Sequence, residues 1–176
     1  MAFPIYQVDA FADAVFKGNP AAVMPLDSWL NDSLLQAIAM ENNLSETAYF
    51  VKVAEGYELR WFTPQVEVDL CGHATLAAAH VLFKHLDYCG SEILFHTRSG
   101  VLRVHRNGAR LTLDFPATEM VSVDVDIAVC KALGATASEA LAPSDKPGAV
   151  LYLYEFEEDV AKLKPDFAAL LAASAY

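Results

Sequence analysis

The residues that decide the fold are 67–83, which read EVDLCGHATLAAAHVLF. The pattern predicts a strand over Val66–Leu70 and a helix over Cys71–Phe83, with the turn between them at Gly72. Because alanine, leucine, valine and phenylalanine leave this helix almost no polar face, it should be buried on most sides. Its many alanines let neighbouring strands approach closely, so we expect a sheet that wraps around one apolar helix.

Strand-like runs lie on both sides of this helix. Before it they cover residues 3–10, 21–26, 47–53 and 57–63, and after it 93–97, 101–106 and 110–115. Asn31 or Asp32 can cap a further helix that ends near Asn42. The pair Asn107-Gly108 between two alternating runs is a strong hairpin signal. Strands that surround a single helix predict an α+β fold with a barrel-like, mostly antiparallel sheet, rather than a βαβ repeat.

The pattern starts again after Pro116, and we predict two domains, 1–116 and 117–176. Residues 117–176 contain strand-like runs at 121–125 and 150–154 and helical runs at 127–133, 157–163 and 165–173. These strands are too few to repeat the first domain, so the segment is expected to be the incomplete start of a second one. It carries 10 acidic and 4 basic side chains, a net −6 of the total −11.

The composition excludes several classes of function. A net charge of −11 repels phosphate backbones, so a nucleic-acid partner is not expected. No apolar run approaches the roughly 20 residues that a membrane-spanning helix needs, so no membrane role is expected. The first residues lack the basic and apolar regions of a secretory signal, and the three cysteines form no CxxC pair. We therefore expect a cytoplasmic protein with reduced thiols.

The segment Cys71-Gly72-His73 is the first candidate site. The first amides of a helix have no partner within the helix and carry partial positive charge, so they can bind an anion. Gly72 would let a ligand approach the backbone, and His73 adds a donor or a proton shuttle. Taken alone, the segment also fits tight packing at Gly72 with a half-buried His73. A zinc site would need two further ligands, and no metal is expected.

Glu46 is the second candidate. It lies in Asn43-Leu44-Ser45-Glu46-Thr47-Ala48, where a helix is predicted to end and a strand to begin. A carboxylate at such a junction can be partly desolvated, which suits general acid–base work. The alternative is an ordinary exposed acid in a loop.

Four segments together resemble the PhzF-like (phenazine biosynthesis) isomerase family. They are Phe16–Val23, Asn43–Tyr49, Arg60–Pro64 and Glu67–His80, and they occur in the order in which that family has them. The resemblance covers residues 1–116, and residues 162–170 are similar to the family's entry into its second domain. It implies a diaminopimelate epimerase-like fold, in which two similar domains flank an active-site cleft.

The resemblance also implies roles for single residues. Glu46 matches the catalytic acid–base glutamate, and Ser45, Gly72 and His73 match substrate-binding positions. Cys71 matches the catalytic thiol of related epimerases and is expected to be a structural relic here. The implied activity is an isomerisation that moves a proton on a small, amino acid-like carboxylate, without cofactor or metal. A homo-oligomer, such as a homodimer, is expected.

Members of that family are usually longer than this chain. Their second domain carries a loop that supplies the other half of the cleft, and nothing similar precedes Tyr176. The sequence therefore leaves two hypotheses open. The first is the isomerase itself, and the second is a truncated, non-catalytic module that binds small anions or self-associates through an incomplete cleft.

Overall fold

The structure is a computed structural model that describes residues 2–14, 16–144 and 148–173. The chain divides into two compact units, Met1–Pro116 and Ala117–Tyr176. Each unit is described by itself below.

The described part of the first unit contains a curled sheet and two helices. In chain order its elements are β1 (Tyr6–Ala10), β2 (Asn19–Leu26), α1 (Asp32–Asn42), β3 (Glu46–Lys52), β4 (Tyr57–Phe62), β5 (Glu67–Val68), α2 (Gly72–His85), β6 (Glu92–Thr97), β7 (Gly100–Asn107) and β8 (Arg110–Asp114).

The sheet has the strand order β1-β2-β3-β4-β6-β7-β8, and the short β5 pairs with β4. Two of these pairings are parallel, β2 with β3 and β4 with β6. Parallel neighbours need a crossover connection, and α1 and α2 lie in those two connections. The sheet is mostly antiparallel, as predicted, but the two crossovers were not expected. Each crossover arises because a helix lies between two strands that pair side by side in the sheet.

Helix α2 lies against the inner face of the curled sheet. Nine of its fourteen residues are buried, and it contacts both end strands, β1 and β8. The small side chains of Ala74, Ala77, Ala78 and Ala79 are all at most 1% exposed, so strands approach this helix closely. The prediction of an apolar helix enclosed by strands is confirmed, together with the α+β class.

Helix α1 covers the opposite face of the central strands. The Asn31 side chain accepts a hydrogen bond from the Leu34 amide and caps the start of the helix. In β3, Ala48 and Phe50 join the core around α2, whereas Tyr49 and Val51 join the core around α1. Because successive side chains of a strand point to opposite faces, the middle of a strand between two helices is apolar on both faces, as in residues 48–51.

The described part of the second unit is smaller and has its own sheet. Its elements are β9 (Met120–Val123), α3 (Ile127–Leu133), β10 (Glu139–Pro143), β11 (Leu151–Leu153), α4 (Glu157–Ala161) and α5 (Phe167–Ala173). The strand order is β11-β10-β9, and both pairings are antiparallel. Strand β10 was missed from the sequence because Glu139–Pro143 holds two alanines and a proline, which are poor strand signals.

Among the described residues, no helix is long and apolar enough to cross a membrane.

The close packing of α2 leads to a stability prediction. Ala78 is fully buried, so Ala78→Leu should overpack the core and lower the free energy of unfolding by about 1–3 kcal/mol. Both tryptophans, Trp29 and Trp61, lie in the first unit, so tryptophan fluorescence during urea unfolding reports on that unit.

The matched control is Ala37→Leu, which adds the same side chain to an exposed position of α1. It should leave the urea midpoint nearly unchanged. Equal midpoints for the two variants would contradict the close packing of α2.

Candidate functional site

Glu46 is placed at the first position of β3. The preceding helix α1 is capped at its end by Asn43, which adopts a left-handed conformation with φ of 50° and directs the chain back toward the sheet. The Asn42 side-chain amide donates to the Thr47 hydroxyl at 3.1 Å and ties the helix end to the new strand. In the parallel register, Glu46 lies beside Ala21 of β2. The position of Glu46 is therefore fixed from both sides.

The motif around Gly18 supports the same loop. The Ser45 hydroxyl donates to the side-chain oxygen of Asn19 at 3.2 Å. Gly18 has a φ of 89°, and an added Cβ would lie 2.4 Å from the carbonyl oxygen of Ala10. Only glycine can adopt this conformation so close to another backbone. Two of the motifs singled out in the sequence thus meet at Asn19 and Ser45.

Helix α2 begins directly after Cys71, whose backbone is extended. The Cys71 carbonyl accepts hydrogen bonds from the Thr75 amide at 3.2 Å and from the Thr75 hydroxyl at 2.6 Å. The first turn contains no acidic residue, and no side chain accepts a capping hydrogen bond there. The positive end of this helix is therefore not neutralised by a side chain of its own first turn.

Three side chains meet at this helix start. His73 Nε2 lies 3.1 Å from Glu46 Oε2, and His73 Nδ1 lies 3.4 Å from Cys71 Sγ. The side chains of His73 and Glu46 are 9% and 19% exposed. Both Nε2 and Oε2 are buried, and neither has a hydrogen bond of good geometry within the described residues. The close approach therefore leaves hydrogen-bonding capacity on both atoms, which a ligand could use.

Burial raises the pKa of the Cys71 thiol to about 12. The Glu46 carboxylate adds to this increase in pKa, whereas the backbone N–H groups of Ala74 and His73 oppose it. Cys71 is therefore a neutral thiol at physiological pH, because the thiolate forms only near its pKa. A neutral thiol is a weak nucleophile and a weak base.

Comparison with known proteins identifies the family of this chain. The family described as phenazine biosynthesis-like protein matches residues 8–175. The chain belongs to this family. A relative described as an uncharacterized isomerase of Pseudomonas aeruginosa is 53% identical over 170 residues, which cover 97% of this chain and 64% of that protein. The phenazine biosynthesis-like family thus includes proteins described as isomerases.

Solved structures agree with the fold. A crystal structure of a phenazine biosynthesis protein of the PhzF family from Enterococcus faecalis has a TM-score of 0.88 and 46% identity, over 98% of this chain and 65% of that one. A predicted epimerase of Pseudomonas aeruginosa shares the fold at 22% identity with a TM-score of 0.63. The matched residues cover slightly less than two thirds of the Pseudomonas aeruginosa isomerase and of the Enterococcus faecalis protein, 64% and 65%.

Of the residues predicted to form the site in this family member, the structure brings Glu46, Cys71 and His73 together. Gly72 adjoins them, and a Cβ added to it would meet only the Phe115 ring at 3.5 Å, an ordinary contact. Packing therefore does not require glycine at this position. Ser45 lies at the surface, where its hydroxyl is bound to Asn19.

Two contacts of the site were not anticipated from the sequence. One is the contact of the Cys71 thiol with the His73 ring, and the other is the role of Asn19 in holding Ser45. The first could have been suspected from the spacing of Cys71 and His73 across a helix start. No local signal links Asn19 to Ser45, because the two residues meet only through the parallel pairing of β2 with β3.

Glu46, Cys71 and His73 are also the residues that could hold a metal ion. Their potential ligand atoms lie within 4.8 Å of one another, and zinc commonly takes Cys, His and Glu donors. The three residues supply three ligand atoms, one fewer than the four of a closed structural zinc site.

The family motif Arg60–Pro64 is structural. The Arg60 guanidinium forms two hydrogen bonds with the Glu67 carboxylate, at 2.7 and 2.8 Å, and an ion pair with Asp32 at 2.9 Å. These contacts join β4 to β5 and to the start of α1. Since Glu67 lies in the strand that leads into α2, the motif helps to set the position from which that helix begins.

The state of the thiol gives a chemical prediction. At pH 8 iodoacetamide should alkylate the exposed Cys89 much faster than Cys71, because the raised pKa of Cys71 leaves almost no thiolate at that pH. The rates can be followed for each cysteine by peptide mass spectrometry.

Raising the pH toward 12 should accelerate the alkylation of Cys71 for as long as the chain stays folded. In 8 M urea (a denaturing control) all three cysteines should react at similar rates. Alkylation of Cys71 as fast as that of Cys89 in the native chain would show that the thiol is ionised.

Proposed function

We propose that the chain is a cofactor-independent isomerase that moves a proton on a small, carboxylate-bearing, amino acid-like substrate. The observation that carries this proposal is the pair of buried atoms Glu46 Oε2 and His73 Nε2, 3.1 Å apart at the start of α2. A carboxylate and a ring nitrogen that lack well-formed hydrogen bonds are groups that a substrate can engage. The family's isomerase relatives point to the same class of reaction.

The start of α2 is the proposed binding site for the substrate carboxylate. The amides of Gly72 and His73 have no partner within the helix and lie at its positive end. The open space at Gly72 would let an anion reach those amides, since only the Phe115 ring lies near the missing Cβ. Ser45, at the surface beside Glu46, is the remaining proposed contact.

The proposed chemistry uses Glu46 as both base and acid. Its carboxylate would take a proton from a substrate carbon, and the electron pair of the broken C–H bond would move into the adjacent unsaturated system. Donors at the start of α2 would stabilise the charge that develops there. The protonated Glu46 would then return a proton to another carbon or to the other face, and exchange of its carboxyl proton with water before that step would bring in a solvent proton. No atom is lost, and neither cofactor nor redox partner is required.

Isotope exchange tests this proposal. In D₂O the chain should introduce deuterium into amino acids or anthranilate-like acids whose acidic carbon it can reach. Glu46→Gln should lower the exchange rate by about 10²-fold or more, the usual loss when a general base is removed. Exchange can be measured by mass spectrometry or proton NMR.

The matched control is Glu41→Gln, which changes an exposed glutamate of α1 in the same unit. It should keep the wild-type rate, and the addition of EDTA should have no effect on the exchange. Wild-type exchange in Glu46→Gln would refute the proposed role of Glu46.

A second candidate function is self-association of a non-catalytic module, and it has its own support. β1 and β8 are the two ends of the sheet order, and α2 contacts both. An open groove of about 910 Å³ lies between them, with Leu76, Ala77 and His80 of α2 among the residues that line it. Open sheet edges next to apolar surface favour pairing with another chain, here a second copy.

Sedimentation equilibrium tests this second candidate. If the groove is an interface, the chain should form dimers at micromolar concentrations. Leu111→Lys, which places a charge on β8 where it lines the groove, should shift the equilibrium to monomers. A wild-type chain that remains monomeric at high concentration would exclude self-association.

A further inference from the structure

The Cys71 thiol takes part in no step of the proposed reaction, yet it contacts the His73 ring, which lies beside Glu46. Sγ lies 3.4 Å from His73 Nδ1, whereas Glu46 Oε2 lies 3.1 Å from the other ring nitrogen, Nε2. Cys71 is 8% exposed, so bulk water does not compete strongly for this contact. The sulfur and the ring are held by neighbouring positions at the start of α2, which fixes their distance.

The carboxylate decides which nitrogen carries the ring proton. An ionised carboxylate is only an acceptor of hydrogen bonds. A bare nitrogen 3.1 Å from Glu46 Oε2 would bring two lone pairs together, whereas a proton on Nε2 makes the approach attractive. In a neutral imidazole the other nitrogen, Nδ1, is then an acceptor.

The thiol is the donor within reach of Nδ1. A neutral thiol has one proton to give, and the pKa of about 12 keeps that proton on the sulfur. The nearby Thr75 hydroxyl cannot replace it, because it donates to the Cys71 carbonyl at 2.6 Å. Thr75 also holds the Cys71 backbone through its amide, independently of the sulfur.

We propose that Cys71 is a positioning residue whose S–H donates to His73 Nδ1 and thereby keeps the ring proton on Nε2, the nitrogen 3.1 Å from the Glu46 carboxylate. In this tautomer His73 is a hydrogen-bond donor and not a base. Resting on the function proposed above, this leaves Glu46 as the proton acceptor and makes His73 Nε2–H one of the donors for the substrate's developing charge. Cys71 then acts through His73, without touching the substrate.

One arrangement competes with this proposal. The Glu46 carboxylate also faces the thiol, so the single S–H proton has a second acceptor. If it were given to Glu46, the sulfur would become an acceptor and Nδ1 would carry the ring proton. The two arrangements place the proton on different nitrogens, so the tautomer of His73 distinguishes them.

Long-range ¹H–¹⁵N correlation NMR of the full chain, with ¹⁵N-labelled histidine, reads the tautomer directly. The chain has five histidines, and the His73 signals are identified by their loss in His73→Gln. The expected result is a neutral ring protonated at Nε2 at pH 7.5. A ring protonated at Nδ1, or at both nitrogens, would overturn the proposal without reference to any activity.

The cysteine variants test the role of the sulfur. Cys71→Ala should raise the Nδ1–H fraction about two- to tenfold, the effect of one ordinary hydrogen bond, whereas Cys71→Ser should keep the wild-type tautomer. Cys130→Ala, the same change at a buried cysteine of the second unit, should leave His73 unaltered. An unchanged tautomer in Cys71→Ala would also overturn the proposal.

Deuterium exchange separates this inference from the function on which it rests. Suppose that the Glu46→Gln variant exchanges deuterium at the wild-type rate, while His73 of the wild-type chain has the Nε2–H tautomer. Then the proposed function fails, and the positioning role of Cys71 stands. If Glu46→Gln loses exchange and His73 has the other tautomer, the reverse holds.

Discussion

Helix α2 cannot remain in water uncovered, because its surface is apolar on nearly every side. That requirement explains the curled sheet, whose two end strands both reach the same helix. It also explains the alanines, since larger side chains would hold the strands away. Once the body of the helix is enclosed, its polar chemistry is confined to its ends. The start of α2 is therefore where an anion can find unpaired amides.

The same packing brings Glu46 to that helix start. Strand β3 is buried on both faces, by α1 on one side and α2 on the other, so its register is strongly specified. A shift of one residue would place Ala48 and Phe50 in the wrong core and would move the carboxylate away from His73. The ion pairs of Arg60 with Glu67 and Asp32 hold the neighbouring strands and α1 in the matching arrangement.

Much of the fold could be predicted from local patterns. The apolar run after Gly72, the Asn31 cap and the Asn107-Gly108 turn each indicate an element through local physics, and the structure contains all three. The parallel pairings β2–β3 and β4–β6 could not be read in this way, because they join segments through helices. Strand β10 was missed because its pairing, not its residue types, makes it a strand.

At the candidate site, the sequence indicated which residues could carry chemistry, but not which of them contact each other. Glu46 and His73 were singled out from separate segments, and the sequence does not contain the 3.1 Å distance between them. Cys71 was considered a relic because its expected thiol chemistry belongs to related enzymes. Only the geometry shows that its sulfur contacts the ring beside the carboxylate. A buried thiol can thus matter through its proton even when it is never a nucleophile.

The enclosure of α2 by both ends of the sheet also has a consequence during synthesis. The helix is complete at His85, but its covering strand β8 ends at Asp114, roughly 30 residues later. At a translation rate of roughly 5–20 residues per second, this corresponds to about 1.5–6 s during which the apolar helix lacks its last covering strand. The nascent chain is most exposed to aggregation in that interval, so the speed at which residues 86–114 are translated should influence the yield of folded protein.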